Sequence, residues 1–231
     1  MRPVEVVLMI RHLEQLGGRV LELGCGAGRI TGYVIGLGGE VTGLDVSPGM
    51  ITECRRRYPA GRFIEGDMAD LSRFADDSLD VVIVGFNVLD VFSDARRRHT
   101  LREIHRVLVT DGLLIMSSHN RAYLAQVPSP AHVRRSDPLR FALDLGRVPR
   151  RIVRHRRLRA LERDEPGYAI VSDGTHDFLF VHYFITPESQ FAQLGEEGFA
   201  PLSCDDLDGE PLADGDRAPA CPELHYVARA K

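Results

Sequence analysis

"VLELGCGAGRIT", Val20 to Thr31, sets glycines at 24, 26 and 28 directly behind a hydrophobic run. A chain puts its most permissive residues at such a point when the backbone must turn tightly or come close to a ligand. The run before them reads as a strand, Arg19 to Leu23, and Gly28 to Leu37 reads as a helix. Outward from this junction the two periodicities alternate. Val4 to Leu16 has helical spacing, ended by Gly17-Gly18, and Glu40 to Asp45 is a strand. Pro48 to Arg57 is a helix, with Ser47 as N-cap and Pro48 at its first position. Phe63 to Glu65 is a short third strand. "LDVVIVGF", Leu79 to Phe86, is nearly all apolar, as a strand covered on both faces should be. Asp94 to Leu108 is a helix and "GLLIMSS", Gly112 to Ser118, a fifth strand. Repeated βα units predict a mostly parallel sheet with right-handed crossovers, in an α/β three-layer, Rossmann-like sandwich.

The alternation stops near His119. From Arg121 to Arg163 the chain carries twelve arginines together with Pro128, Pro130, Pro138 and Pro149, a pattern of short helices and turns. "GYAIVSDGTHDFLFVHYFI" then reads as a hairpin turning near Asp173-Gly174, with Phe178, Phe180, His182 and Phe184 on one face. Glu188 to Gly195 is a helix, and Pro201 to Asp206 and Leu224 to Arg229 are closing strands. The expectation is one domain, 1–231, with 121–186 inserted after the fifth strand as a substrate-binding segment or lid.

The chain has 231 residues, enough for one well-buried domain, and its 44% apolar and 27% charged residues suit a soluble globular protein. A net charge of −4 argues against a general polyanion binder, so nucleic acid is not the expected partner. Cys25, Cys54, Cys204 and Cys221 form no C-x-x-C pair, which fits a reducing cytoplasm better than a disulfide or zinc framework. Val6 to Ile10 is too short to span a membrane and lacks a signal-peptide layout. No H-E-x-x-H or clustered acid pattern suggests a metal. These features predict a cytoplasmic chain; a monomer or homodimer is the expected assembly.

The loop spacing is G-x-G-x-G behind Glu22, and the third slot of a dinucleotide fingerprint is Arg29. Asp45, seventeen residues past Gly28, ends the second strand where a carboxylate accepts from ribose hydroxyls. Taken together, "ELGCGAGRIT", "VTGLDVSPGM", "FIEGDMADL" and "LREIHRVLVTDGLLIMSSHN" closely resemble the class I S-adenosylmethionine-dependent methyltransferases over Arg19 to Asn120. The resemblance implies a seven-stranded sheet whose last strand is antiparallel. It implies S-adenosyl-L-methionine as the methyl donor and S-adenosyl-L-homocysteine as the product. Glu22, Gly24, Cys25, Gly26 and Gly28 would then border the methionine part, and Asp45 would hold the ribose. Val46 and Met50 would flank the adenine, Asp67 would accept from its amino group with Met68 packed on the ring, and Phe86 and Asn87 would line the space beside the sulfonium. The plain alternatives are a steric turn for the glycines, a capping role for Asp45 and core packing for Met68. Family members often carry extra N-terminal helices over the cofactor. About eighteen residues precede the first strand here, so either the start is short or the insertion does the covering.

Methyl transfer needs positioning above all, and a base only where the acceptor must lose a proton. His119 is the first candidate for base or substrate contact because it follows the fifth strand; a strand-end cap is its bland alternative. Asp90, after the fourth strand, and His182, in the hairpin, complete the catalytic set, with His182 equally readable as a core histidine and His176 as a turn residue. "RRIVRHRRLR" could face a phosphate-bearing substrate or be a solvated helix face. The reading that results is methyl transfer to a small molecule: a sugar, polyketide, other secondary metabolite or cell-surface intermediate, with O-methylation favoured over N-methylation. The alternatives are a tRNA or rRNA methyltransferase using the arginines, and a cofactor-binding subunit without turnover. "GFNVLD" lacks the Asn/Asp-Pro-Pro-aromatic tetrad of amino-group methylators after strand four.

Overall fold

A computed structural model describes residues 1–127, 131, 138–174 and 178–231 of the chain. Two helices, α1 (Pro3–Arg11) and α2 (Leu13–Leu16), lead into β1 (Arg19–Leu23), α3 (Arg29–Gly36), β2 (Glu40–Asp45), α4 (Pro48–Arg57) and β3 (Arg62–Glu65). Then come β4 (Leu79–Val84), α5 (Asp94–Val107) and β5 (Leu108–Asn120). The remainder supplies α6 (Pro138–Leu158), β6 (Arg163–Asp164), β7 (Tyr168–Val171), β8 (His182–Ile185), α7 (Pro187–Glu196), β9 (Phe199–Asp205) and β10 (Glu223–Ala230).

The parallel ladder runs β3-β2-β1-β4-β5, and β10 then pairs antiparallel with β5 and with β9, completing the expected seven-stranded body. Three more strands, β8-β7-β6, branch from the same sheet. Their position follows from the length of β5. His119 pairs with Glu223 of β10 on one edge and with Phe184 of β8 on the other. That second edge is the one β4 occupies up to Met116. The hairpin from the insertion therefore continues the sheet beyond the end of β4 and roofs the turn that follows it.

The strands at the centre are buried on both faces, which is why they read as unbroken apolar runs. One face packs Leu21, Leu23, Val82, Val84, Leu114 and Met116 against α5 and α7 through Leu101, Ile104 and Leu194. The other packs Val20, Val81, Ile83 and Ile115 against α1 and α3 through Val4, Leu8, Ile30 and Val34. Helix starts follow the local chemistry. Ser47 accepts from the Met50 N–H ahead of α4, Ser93 from Arg96 ahead of α5 and Thr186 from Ser189 ahead of α7.

Three local expectations are corrected. The N-terminal helix is broken at His12, whose φ of −116° leaves helical geometry. The arginine-rich segment holds one 21-residue helix, α6, and not only short ones. It starts with Pro138 and carries Pro149 inside, the surrounding leucines and arginines being strong helix formers. In the hairpin, alternation holds only for His182 and Phe184. Phe178 has left-handed φ and Phe180 lies before β8, so neither continues the strand face. His176 lies outside the described residues.

Candidate functional site

Because β1, β4 and β5 are adjacent and parallel, their carboxyl ends form one edge, roughly 10 Å across at one strand spacing per step. The strand order reverses between β1 and β4, the point where open α/β sheets leave a crevice. Gly24, Gly26 and Gly28 all take positive φ there. A Cβ at Gly24 would run into Val88, and one at Gly28 into Tyr58 and Cys54. At Gly26 it would meet nothing within 4 Å. Two glycines thus serve the turn, and at Gly26 the side a Cβ would occupy faces open space while its carbonyl accepts from the Cys54 thiol.

Asp45 reaches across from β2. Its Oδ2 accepts from the Gly26 N–H at 2.8 Å and its Oδ1 from the Ser47 N–H at 2.9 Å, so the carboxylate braces the loop. A carboxylate has lone pairs for further donors. Val46 and Met50 lie exposed beside it. Glu22 is buried, and its Oε2 accepts from the Thr31 N–H at 2.7 Å and from the Thr31 hydroxyl. It thereby caps α3, whose own N-cap Gly28 has no side chain for the purpose. Burial pushes the Glu22 carboxyl up to about 7, against the opposing pull of those Thr31 hydrogen bonds. Cys25 is buried with Cys54, Ile51 and Phe63. Asp67 pairs with Arg96 and accepts from the Ala69 N–H at 2.9 Å, and Met68 packs against the main core.

At the end of β4 two consecutive non-glycine residues, Phe86 and Asn87, adopt left-handed φ of 59° and 56°. Such conformations persist only where the surroundings enforce them, and they cluster at ligand sites. Here the Ser117 hydroxyl accepts from the Asn87 N–H at 2.8 Å, and Asn87 Nδ2 donates to Glu223 Oε2 at 2.9 Å. The buried Asn87 Oδ1 has no partner. Phe86 is 61% exposed, with the guanidinium groups of Arg2 and Arg29 at 5.0 and 5.6 Å from its ring centre. Those arginines pair with Glu223 and Glu5, and buried His225 lies beside Glu223. Burial holds His225 down at about 4, so it is neutral. No sequence pattern announces this N-terminal contribution, because its members come from both chain ends.

The Val88–Val91 3-10 turn carries Asp90, fully buried. Asp90 Oδ2 lies 2.7 Å from His119 Nδ1 and accepts from the His119 backbone N–H at 2.7 Å. Its Oδ1 accepts from Arg97 Nη1 at 2.5 Å and from the Ser118 hydroxyl at 2.7 Å. Burial alone would raise the Asp90 carboxyl, but Arg97 and His119 outweigh it and hold it below the ordinary carboxylate range. Arg97 is itself fully buried, donating to Gln190 Oε1 at 2.6 Å and Gln193 Oε1 at 3.0 Å, and lies 4.8 Å from the centre of the Tyr183 ring. The His119 ring sits 4.9 Å from that of Phe184 and 5.3 Å from that of His182. His182 is buried, its Nδ1 3.0 Å from Asp173 Oδ1, which favours a structural role. Asn120 is spent on the loop before β10, donating to the carbonyls of Arg217, Ala218 and Cys221. On the reverse face of the hairpin an open cleft of about 520 Å³ lies between Phe92, Asp94 and Tyr168. Among the described residues no group of three or more His, Cys, Asp or Glu side chains could hold a metal.

Sequence reasoning thus found Asp90 and His119 separately but missed Arg97, which reads as one more surface arginine of α5. Residues 20–112 match a family described as a methyltransferase domain. A putative methyltransferase, YqeM, of Bacillus subtilis is 30% identical over 116 residues, 48% of this chain and 46% of that protein. A demethylmenaquinone methyltransferase of Chlorobaculum parvum is 37% identical over 95 residues, 41% of this chain and 38% of its own length. The chain spans about half, or less, of the length of these curated relatives. A solved S-adenosylmethionine-dependent methyltransferase from Mesorhizobium loti superposes with a TM-score of 0.67 at 19% identity, covering 98% of this chain and 97% of the other. That likeness concerns the fold.

Proposed function

We propose that the chain, whose residues 20–112 match a methyltransferase domain, is a class I, S-adenosylmethionine-dependent methyltransferase that methylates a hydroxyl of a small-molecule acceptor, with His119 as general base. The observation that carries this reading is the His119 imidazole, 2.7 Å from a buried carboxylate, at the strand edge shared with the glycine loop. Bound in the crevice, S-adenosylmethionine supplies a methyl group on a sulfonium, open to in-line displacement. The residues present suit it: an open approach to the Gly26 Cα, a carboxylate in Asp45 with lone pairs for a ribose, exposed Val46 and Met50, and the unpartnered Asn87 Oδ1.

The proton path belongs to this chain's own residues. With Nδ1–H donated to Asp90, His119 keeps Nε2 as an acceptor for the hydroxyl proton. Asp90 stays ionised because Arg97 faces it, so it steadies the imidazolium that forms without taking the proton itself. Phe184 and His182 fix the plane of the ring. Phe184 of β8 pairs with His119, which supports an acceptor entering beneath the inserted hairpin. The name of the Chlorobaculum relative gives a small molecule, demethylmenaquinone, as what that protein acts on, in keeping with an acceptor of this size.

Calorimetry with S-adenosylhomocysteine tests the donor side, where binding that Gly26→Val abolishes is expected. Release of S-adenosylhomocysteine across a panel of hydroxylated aromatics, sugars and acyl thioesters tests the acceptor side. His119→Ala should cut turnover roughly 10²–10⁴-fold while leaving product affinity unchanged. Full turnover in that variant removes His119 as base.

A further inference from the structure

Elsewhere on this molecule many exposed arginines are matched by acids. Arg19 pairs with Asp80, Arg56 and Arg57 with Glu53, Arg98 with Glu196, and Arg106 with Asp76. The C-terminal part of α6 and the turn after it are denser in cations than in acids. From Leu145 to Leu161 the chain carries seven arginines and no acid, in a protein whose net charge is −4. At 100° per residue, Ile152, His155 and Leu158 turn toward the body, while Arg150, Val153, Arg156 and Arg157 turn outward. Arg150, Arg156, Arg157 and Arg159 have no ion-pair partner among the described residues.

The outward face is also apolar in places, with Val153 49% exposed. A second apolar element stands beside it. Phe178 is buried with its ring 5.8 Å from that of His155 on α6, and the next two residues, Leu179 and Phe180, project at 49% and 52% exposure. A convex helix of cationic and apolar side chains, next to a projecting apolar tip, is the composition of a helix that lies in a membrane interface. The charge is complementary to an anionic leaflet, which attracts each basic group near its surface.

We propose that the outward face of α6, together with Leu179 and Phe180, docks this protein peripherally on anionic lipid bilayers. No helix among the described residues is long and apolar enough to cross a membrane, so the attachment would be peripheral.

Co-sedimentation of the full chain with vesicles tests it. The chain should bind phosphatidylcholine vesicles containing phosphatidylglycerol, should leave pure phosphatidylcholine vesicles unbound, and should dissociate as salt rises. The triple change Arg150→Glu, Arg156→Glu, Arg157→Glu should lower partitioning by at least about 100-fold, at roughly fivefold per arginine. These side chains face solvent, so the variant's thermal melt should match the parent's; the milder triple Arg→Gln change should give a smaller loss of the same kind. Leu179→Ser with Phe180→Ser should weaken binding and leave its salt dependence in place. Equal binding to neutral vesicles, no binding to anionic ones, or binding untouched by charge reversal would overturn the proposal. So would preference at the same salt for an RNA oligonucleotide or an acidic polypeptide over the vesicles.

Discussion

The two halves of the crevice are made of different materials. At the ends of β1 and β2 the site is backbone: three left-handed glycines, an open Gly26, and one carboxylate gathering N–H groups 2.8 and 2.9 Å away. At the ends of β4 and β5 it is side chain: Arg97, Asp90, Ser118 and His119 in a buried chain that also draws on α7. A backbone site is written into a short stretch of sequence, because only glycine tolerates the geometry. A side-chain network needs partners that only folding brings together, and its buried charges must be matched or the fold suffers.

That contrast is open to measurement. The largest effect should come from Arg97→Ala, which leaves the Asp90 carboxylate buried and unpaired and should cost about 3–5 kcal/mol in urea unfolding. An unchanged midpoint would erase the distinction between the halves. The Asp90 carboxyl is held low in the folded state, so its contribution is present above the ordinary carboxylate pKa and is lost as pH falls through the folded one.

Glu22 has the opposite sign. With its carboxyl at about 7 against an ordinary 4.5, the folded state keeps a proton the unfolded chain has released. Stability therefore falls as pH rises across that window, by up to roughly 3 kcal/mol. Glu22→Gln retains an acceptor for Thr31 and removes the titration. Its stability relative to the parent should grow from the acid side of the window to the alkaline side, then level off above neutrality. A gap independent of pH would place Glu22 in a wetter setting than the one described.

On the backbone side the effects should fall on binding. Asp45→Ala should weaken S-adenosylhomocysteine affinity by about 1.5–3 kcal/mol, the worth of hydrogen bonds to a charged acceptor. Asp45→Asn, which retains one acceptor oxygen, should fall between. The smallest change in stability should come from Gly26→Ala, about 1–2 kcal/mol for the left-handed backbone alone. Gly28→Ala should cost more, since its Cβ also meets Tyr58 and Cys54. Equal melts for the two variants would mean that Gly26 is as enclosed as Gly28.

Much of the frame was legible. The order of strands and helices from Arg19 to Asn120, the caps at Ser47 and Pro48, the glycine loop and Asp45 at the end of β2 all rest on local rules. Other readings were local and incomplete. Glu22 was grouped with the cofactor set from its place in the motif, and the structure shows it capping α3 through Thr31. Asp67 and Met68 hold the expected positions, yet Arg96 and the main core engage them. The prolines of the insertion suggested breaks that a 21-residue helix absorbs, since helix formers on both sides outweigh one internal Pro149.

Sequence alone determined the α/β alternation, the glycine turn and the place of Asp45 at the end of β2, because each is decided within a few residues by steric freedom and periodicity. Tertiary structure alone decided that Arg97 is a buried cation and not a surface one. It also decided that β8 takes the edge β4 leaves, and that both chain ends converge on Phe86. Those outcomes depend on charge and hydrogen-bond balance between groups distant in the chain, and no local pattern encodes that balance.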